Sequence, residues 1–311
     1  MPTQEELKAL QGESLNRKIL ITQTRILEWY VRHEGQVYVS FSGGKDSTVL
    51  LHIARQCFSD IEAVFVDTGL EYPEIREFVK TFDNVITVKP KMQFKEVIEK
   101  YGYPVISKEV SQAIYGHRKG WKSMTDKFEK ESFGVSKYNY LKNAPFEMSH
   151  MCCNVMKKQP AKQYEKTSNH KCMTGTMAEE SQQRQTSWLI RGCNSFDSKR
   201  PMSNPMSFWT EQDVLHYIKE HNLPYCSVYG EVVNKADFIG QLSMEDVPTD
   251  LMMTGCQRTG CMFCMFGVHL EKEPNRFQKM KITHPKQYDY CIREENGMGL
   301  GKVLDFINVK Y

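Results

Sequence analysis

The chain has 311 residues, of which 40% are hydrophobic and 25% are charged, a balance typical of a folded globular protein. Its 41 basic and 38 acidic residues leave a formal net charge of +3, which neither requires nor excludes a nucleic-acid partner. No apolar run reaches the roughly 18 residues of a membrane span, and the charged start lacks a signal-peptide core, so we expect no membrane partner and a cytoplasmic location.

Residues 5–32 have the apolar spacing of one or two amphipathic helices. After them, short strands alternate with helices: strands are predicted over 37–41, 62–66 and 84–88, and helices over 46–57, 73–81 and 93–100. This alternation predicts an α/β fold with a parallel, twisted sheet flanked by helices. We expect N-terminal helices (1–34), an α/β domain (35–250) and a cysteine-rich C-terminal region with a tail (251–311).

A glycine-rich turn joins the first predicted strand to its helix: Ser42-Gly43-Gly44-Lys45-Asp46-Ser47. The glycines let the backbone approach an anion, and the free N–H groups of the helix start favour negative charge. Lys45 adds a positive charge, and the two serines add hydroxyl donors. The spacing differs from that of a Walker A loop. The turn predicts a phosphate site; the alternative is an ordinary strand-to-helix turn.

The second predicted strand ends at Asp67-Thr68-Gly69, and Pro73 is well placed to begin the next helix. In open α/β sheets, ligands bind outside the carboxyl ends of the strands. We therefore expect these residues to serve the ligand of the phosphate loop, although such a tripeptide is often a plain turn.

The α/β pattern returns with a helix over 153–164, a strand over 171–176, a helix over 178–184 and a capped helix from Thr210. Gly175 follows that strand. Arg184 could support a departing phosphate or could form a surface pair with Glu180, and the sequence leaves both open.

Between these two parts, residues 117–143 are rich in lysine and aromatic side chains. They are Arg118, Lys119, Trp121, Lys122, Lys127, Lys130, Lys137, Tyr138, Tyr140 and Lys142. A solvated loop or helix pair is one interpretation, and a surface for single-stranded nucleic acid is the other. We expect an insertion over the active-site face.

Five of the ten cysteines are grouped: Cys152, Cys153, Cys256, Cys261 and Cys264. Thiolates are the ligands of iron–sulfur clusters, and four of them can also hold structural zinc. The adjacent pair suits a compact zinc site poorly, whereas glycines and Met262, Phe263, Met265 and Phe266 suit a dry cluster site. Which of the adjacent pair is a ligand stays open. The remaining cysteines, which are isolated, are expected to be buried small residues: Cys57, Cys172, Cys193, Cys226 and Cys291.

The string S-G-G-K-D-S at 42–47 resembles the PP-loop of the adenine nucleotide alpha hydrolases, which include ATP pyrophosphatases, tRNA thiolases and PAPS reductases. The string D-T-G-L-E-Y-P-E at 67–74 looks like the D-T-G-x-x-x-P-E of the PAPS reductase branch, and 205–225 looks like its tryptophan-containing segment. The cysteine pattern resembles that of adenylylsulfate reductases, which carry a 4Fe–4S cluster beside the nucleotide.

This resemblance, over about residues 35–267, implies ATP or a sulfonucleotide at the loop, Mg²⁺ with the phosphates and a 4Fe–4S cluster on the cysteines. It implies nucleotide binding by Ser42, Gly43, Gly44, Lys45, Asp46, Ser47, Asp67, Thr68, Gly69 and Gly175. It implies catalytic roles for Lys45, Asp46 and Arg184.

Two departures put the reaction in doubt. The reductases carry a nucleophilic cysteine in a C-terminal E-C-G-I/L-H segment that the given sequence does not show, and Thr176 or Met177 stands where the family commonly has arginine. We expect adenylation of an acceptor with release of pyrophosphate, followed by sulfur transfer. The alternatives are a sulfonucleotide reductase with an external thiol and a non-catalytic subunit of a DNA or RNA sulfur-modification system. The expected partners are a sulfur donor or thiol reductant, with an RNA or DNA acceptor and a homo-oligomer left open.

Overall fold

A computed structural model describes residues 2–129, 134–238 and 250–311. Lys130 of the lysine-rich segment and residues 239–249 of the predicted α/β domain lie outside the described residues. The α-helices are α1 (Gln4–Gln11), α2 (Leu15–Arg32), α3 (Lys45–Cys57), α4 (Pro73–Val79), α5 (Phe94–Tyr101), α6 (Lys108–Arg118), α7 (Lys122–Glu129), α8 (Gln159–Ser168), α9 (Gln182–Arg191), α10 (Glu211–Glu220), α11 (Lys235–Phe238), α12 (Arg276–Thr283), α13 (Pro285–Ile292) and α14 (Leu300–Phe306). The strands are β1 (Val37–Ser40), β2 (Glu62–Val66), β3 (Val85–Val88), β4 (Val105–Ile106), β5 (Lys171–Met173), β6 (Asn194–Ser195), β7 (Met202–Ser203), β8 (Val232–Asn234), β9 (Leu251–Met253) and β10 (Met265–Phe266).

The chain forms two compact units. The first comprises the described residues of Met1–Asp67, Tyr72–Val88 and Ala161–Thr259. The second comprises those of Thr68–Glu71, Lys89–Pro160 and Gly260–Tyr311. These units cut across the predicted division at 34 and 250, because segments far apart in the sequence share a core.

The first unit is built on a six-stranded sheet in the order β3-β2-β1-β5-β7-β6. Its neighbouring strands are parallel, except that β6 and β7 are antiparallel. A mainly parallel sheet with helices between its strands confirms the predicted α/β class. Strands β8 and β9 form a separate antiparallel pair.

The N-terminal helices belong to the core of this unit. Leu7, Ile26 and Trp29 are buried in the same cluster as Val39 of β1. The indole N–H of Trp209 donates to the hydroxyl of Thr22 on α2 at 2.9 Å. Burial of these apolar side chains joins residues 1–34 to the sheet.

The second unit is mainly helical, with the short parallel pair β4–β10. The hydroxyl of Ser111 on α6 donates to the carbonyl of Val105 at 2.6 Å and so ties that helix to β4. The guanidinium of Arg118 donates to the carbonyls of Ala144 and Phe146 and orders the segment after α7.

The described residues of the lysine-rich segment 117–143 form the end of α6, helix α7 and a 3₁₀ segment at Ser136–Asn143 within the second unit, which agrees with the helix-pair interpretation. Most other predicted elements occur within a few residues of their expected bounds, and two differ. The predicted helix over 178–184 is a 3₁₀ turn at Ala178–Glu180 followed by α9, because Ser181 is extended and caps the later helix. The predicted helix over 153–164 starts with a π-helical turn at Asn154–Lys158. Across the described part of the chain, we find no helix with the length and apolarity needed to span a membrane.

Candidate functional site

The glycine-rich loop leads directly from β1 to α3 in the first unit. Gly43 has a φ of +71°, and a Cβ there would lie 2.8 Å from the Val79 side chain and 2.9 Å from that of Ile75. A larger residue would therefore be both strained and crowded. Gly44 stands at the start of α3 with no side-chain cap, which leaves the first N–H groups of the helix to other partners.

Two serines bind the loop internally. The Ser47 hydroxyl donates to the Gly44 carbonyl at 2.9 Å and accepts the backbone N–H of Ser42 at 3.2 Å. The Ser42 and Ser47 hydroxyl oxygens are 3.1 Å apart. Gly175 packs against this start of α3, since a Cβ there would lie 2.9 Å from the Asp46 carbonyl oxygen. The structure thus brings the predicted loop residues and Gly175 together.

Lys45 is the buried cation of the loop, with 5% of its side chain exposed. Its Nζ lies 3.2 Å from Glu211 Oε1 and 3.6 Å from Asp46 Oδ1, and it donates to the Gln257 carbonyl at 3.4 Å. Burial alone would lower the pKa of Lys45, but the charges of Asp46 and Glu211 outweigh burial and raise it. The ammonium is therefore held charged.

Asp46 links this lysine to Arg184. Burial raises the pKa of Asp46, and the positive charges of Lys45 and Arg184 oppose that rise. Asp46 Oδ1 is buried with no hydrogen-bond donor among the described residues. Arg184 forms an ion pair with Glu180, and its pKa is lowered by burial and by the neighbouring Arg258. Arg184 therefore makes the predicted pair and also interacts with the loop.

The D-T-G segment starts in the first unit and continues in the second. Asp67 directly follows β2, and its carboxylate accepts a hydrogen bond from Arg76 Nη2 at 2.8 Å. In the second unit, the Thr68 hydroxyl donates to Glu71 at 2.8 Å, and Gly69 has a φ of +74°. These side chains form an ordered turn.

Sequence reasoning missed the residues around Lys45. Glu211, Tyr229, Gln257, Arg258 and Thr259 all belong to the first unit and contact or interact with the loop or Arg184. Glu211 was visible only as part of a helix start, and Arg258 and Thr259 only as neighbours of cysteines. No local pattern marks Tyr229.

Four of the five grouped cysteines lie in the second unit as free thiols: Cys152, Cys153, Cys261 and Cys264. Burial raises the pKa of the Cys152 thiol, and the other three cysteines raise it further, so these sulfurs are electrostatic neighbours. Burial likewise raises the pKa of Cys261 to about 11, although Lys157 opposes that rise. Burial therefore favours the protonated thiols of Cys152 and Cys261, and a bound metal would have to displace those protons.

The surroundings of these thiols are apolar on one side and cationic on the other. Met262, Phe263 and Met265 are buried. Lys157 Nζ lies 3.7 Å from Glu71, and although burial would lower its pKa, Cys261 and Glu71 raise it. Arg276 is a second cation, since it donates to the Cys264 carbonyl at 3.0 Å. Apolar side chains and cations next to the thiols suit a group held by several negative thiolates.

Cys256 lies in the first unit, where its neighbour is the buried Cys226. Within residues 2–129, 134–238 and 250–311, no three His, Cys, Asp or Glu side chains are arranged around a single metal ion. A zinc site needs sulfurs at about 2.3 Å from one ion, whereas cluster thiolates bind separate irons. Of the isolated cysteines, Cys172, Cys226 and Cys291 are buried as expected, and Cys57 and Cys193 are half-buried.

Fold and loop together define an α/β protein whose glycine-rich strand-to-helix turn carries a buried lysine. The phosphoadenosine phosphosulfate reductase domain family matches residues 36–266. The chain therefore belongs to the phosphoadenosine phosphosulfate reductase domain family, which confirms the resemblance seen in its motifs.

The chain is similar to curated proteins and, more distantly, to solved structures. The chain is 25% identical over 202 residues to an adenosine 5'-phosphosulfate reductase of Bacillus cereus, covering 64% of this chain and 70% of that protein. It is 37% identical over 97 residues to an uncharacterized protein of Methanocaldococcus jannaschii, covering 30% of this chain and 23% of that protein. A phosphoadenylyl-sulfate reductase structure from Candida auris is similar with a TM-score of 0.41 and 18% identity, over 80% of this chain and 98% of that chain. A tRNA thiolase structure from Methanococcus maripaludis, solved with its 4Fe–4S cluster, is similar with a TM-score of 0.36 and 12% identity, over 95% of this chain and 82% of that chain.

Proposed function

We propose that this protein is an enzyme of sulfur metabolism that binds an adenine nucleotide at residues 42–47 and adenylates an acceptor for sulfur transfer. The observation that carries the proposal is the charge arrangement at the loop. The half-buried Asp46 lies 3.6 Å from Lys45 Nζ and interacts electrostatically with Arg184, so two cations stand near a phosphate-type loop. Cations in this position would stabilise departing pyrophosphate.

The residues divide the chemistry between them. The loop N–H groups and Lys45 hold the phosphates. An acceptor oxygen attacks the α-phosphorus. The bond between the α-phosphorus and the oxygen that bridges to the β-phosphate breaks, and its electron pair leaves with pyrophosphate. Lys45 and Arg184 neutralise that charge. Asp46 Oδ1 has the Lys45 ammonium at 3.6 Å but accepts no hydrogen bond from the described residues. It is a carboxylate oxygen of the type that Mg²⁺ prefers, so it fits a magnesium ion that would shield the phosphates.

The four thiols of the second unit fit a 4Fe–4S cluster, because four free cysteines are electrostatic neighbours beside the buried Met262, Phe263 and Met265. Cys152, Cys153, Cys261 and Cys264 would hold it, with Lys157 balancing its charge. When bound, the cluster would supply redox or sulfur chemistry. A four-thiolate set leaves no iron open, so the transferred sulfur would come from a separate donor.

A second candidate is sulfonucleotide reduction, which the name of the Bacillus relative favours. In that reaction two external thiols are oxidised to a disulfide, and the sulfonucleotide gives sulfite and the nucleotide monophosphate. A third candidate is a non-catalytic nucleotide-binding subunit.

One experiment separates the three. Anaerobically purified full-length protein is incubated with ATP, Mg²⁺ and total tRNA or genomic DNA, and pyrophosphate is measured. A parallel reaction with adenylylsulfate or PAPS and thioredoxin measures sulfite. We expect pyrophosphate and no sulfite, and Lys45→Ala abolishes the product. Sulfite formation establishes the reductase instead, and neither product with intact nucleotide binding establishes the subunit.

The segment 117–143 supports a nucleic-acid acceptor. Trp121 is 46% exposed and Tyr140 44%, and both have rings suited to stacking on bases. Lys119→Ala, Lys122→Ala and Lys127→Ala combined should lower the salt dependence of RNA or DNA binding, because fewer counterions are released. The matched control replaces the exposed lysines of α12 and α13: Lys279, Lys281 and Lys286. A binding affinity independent of salt would point to a small-molecule acceptor.

A further inference from the structure

The phenol of Tyr229 lies on the backbone of the phosphate loop. Tyr229 is 2% exposed, and its hydroxyl oxygen accepts the backbone N–H of Lys45 at 3.2 Å. Lys45 is the first residue of α3, and the free N–H groups of a helix's first turn are the groups that bind phosphate. One of these donors is therefore taken by a side chain that comes from 184 residues away.

Thr259 holds that phenol in place. The Tyr229 and Thr259 hydroxyl oxygens are 2.6 Å apart. The Tyr229 ring also lies 5.7 Å from Lys45 Nζ, so the tyrosine contacts both the backbone and the charge of this lysine.

The hydroxyls of Tyr229 and Thr259 also lie close above Gly44, since a Cβ built there would be 3.1 Å from the first and 3.3 Å from the second. Both hydroxyls therefore stand beside the backbone that opens α3. The side-chain donor of the same residue is also engaged within the protein, since Lys45 Nζ reaches Glu211 and the Gln257 carbonyl.

We propose that Tyr229, held by Thr259, competes with the phosphates of the nucleotide for the start of α3 and thereby sets nucleotide affinity. The inference rests on the proposed nucleotide site. Nucleotide binding must replace the hydrogen bond from the Lys45 N–H to the phenol with one to a phosphate. Displacing the tyrosine therefore reduces the net free energy of nucleotide binding. Tyr229 is thus an affinity-determining residue and has no part in the bond-breaking step.

The test is Tyr229→Phe, which removes the hydroxyl and keeps the ring. Calorimetry on the full chain measures binding of Mg-ATP and, separately, of inorganic pyrophosphate. Because a net hydrogen bond contributes about 0.5–1.5 kcal/mol, we expect both ligands to bind roughly threefold to tenfold more tightly. Amide exchange of the Lys45 N–H gives an independent readout: it should be slow in the ligand-free wild type and fast in Tyr229→Phe.

The matched control is Tyr217→Phe. Tyr217 is also fully buried, and its hydroxyl also pairs with α3, 2.8 Å from His52 Nδ1, at the part of the helix remote from the loop. This variant should bind within about twofold of wild type, since it alters no donor of the loop. Thr259→Val should tighten binding less than Tyr229→Phe, and the double variant should add nothing further.

The outcomes distinguish the two hypotheses. Unchanged or weaker binding of both ligands by Tyr229→Phe, with wild type binding normally, overturns the competition and leaves the nucleotide site standing. Tighter pyrophosphate binding without any adenine-nucleotide binding supports the competition and contradicts the proposed function. Absence of binding by wild type and all variants overturns both.

Discussion

Lys45 shows how a lysine can stay protonated inside a folded protein. Its ammonium is almost fully buried, yet Asp46 and Glu211 keep it positive. An isolated buried cation would lose its proton, and a fully exposed one would be screened by water. The ammonium lies between two carboxylates, and it can pair with a phosphate when those carboxylates move away.

Replacing this charge should weaken nucleotide binding without unfolding the protein. Lys45→Ala removes a charge-assisted contact to phosphate and should lower the free energy of ATP binding by about 1.5–3 kcal/mol. Asp46→Asn should weaken ATP binding because it removes a carboxylate oxygen that would bind Mg²⁺. Calorimetry with ATP, PAPS and adenylylsulfate measures this. Lys171→Ala, at the start of β5 in the same unit, is the control. Equal affinity of both loop variants and wild type for all three nucleotides would contradict the site.

The cysteines differ from one another in a way that a metal analysis can detect. Anaerobic protein should be brown and contain iron and sulfide, and Cys261→Ser or Cys264→Ser should remove the colour, because each deletes a thiolate ligand. Cys256→Ser should retain it if the ligands are the four thiols of the second unit. Cys291→Ser, a buried thiol of that unit, is the control. Stoichiometric zinc without iron would refute the cluster.

Helix α2 illustrates how an element whose sequence shows only amphipathic spacing becomes part of the core. Its Thr22 hydroxyl accepts the Trp209 indole N–H, and both residues have no exposed surface. Lys18 on the same helix donates at 2.6 Å to Asp213, which completes the capping box of α10. Two buried polar contacts therefore fix how α2 packs.

Thr22→Val should destabilise the protein by about 1–3 kcal/mol, because it leaves the buried indole N–H without an acceptor. Thr24→Val is the matched control, since Thr24 lies on the exposed face of the same helix and bonds only within it. Denaturant unfolding compares the two. Equal stability of the variants would show that the Trp209 bond contributes nothing measurable.

The two units share a response to acid. Burial is the main cause of a lowered pKa at His33 and His52 in the first unit and at His150 and His269 in the second. Because the folded values lie below the ordinary 6.5, the unfolded chain takes up protons more readily. Their contribution to stability is complete above about pH 6.5 and is lost as the pH falls toward the folded values.

The protein should therefore unfold at a lower temperature at about pH 5.5 than at about pH 7.5. His52→Gln should reduce that difference, since it removes one of the four groups. The raised pKa of Asp46 acts in the opposite direction, so the comparison is made between wild type and variant at each pH. An identical pH response in His52→Gln would contradict the assignment to this histidine.

Local sequence was enough to find the elements and the loop. The strand, the glycines and the helix start at 37–57 are close in the chain, and each depends on short-range backbone preferences. The capping box of Thr210 and Asp213 was visible for the same reason. The adjacent Cys152 and Cys153 and the C-x-x-C of Cys261 and Cys264 could be recognised from their spacing alone.

The partners of Lys45 could not be found that way. Glu211, Tyr229 and Thr259 meet the loop from over 150 residues away, and packing of the first-unit core, not any local pattern, brings them there. Packing likewise assigns Thr68–Glu71 to the second unit and Cys256 to the first. Burial of apolar surface stabilises one tertiary arrangement, and that arrangement determines which side chains remote in sequence are in contact. A short stretch of residues does not contain this information.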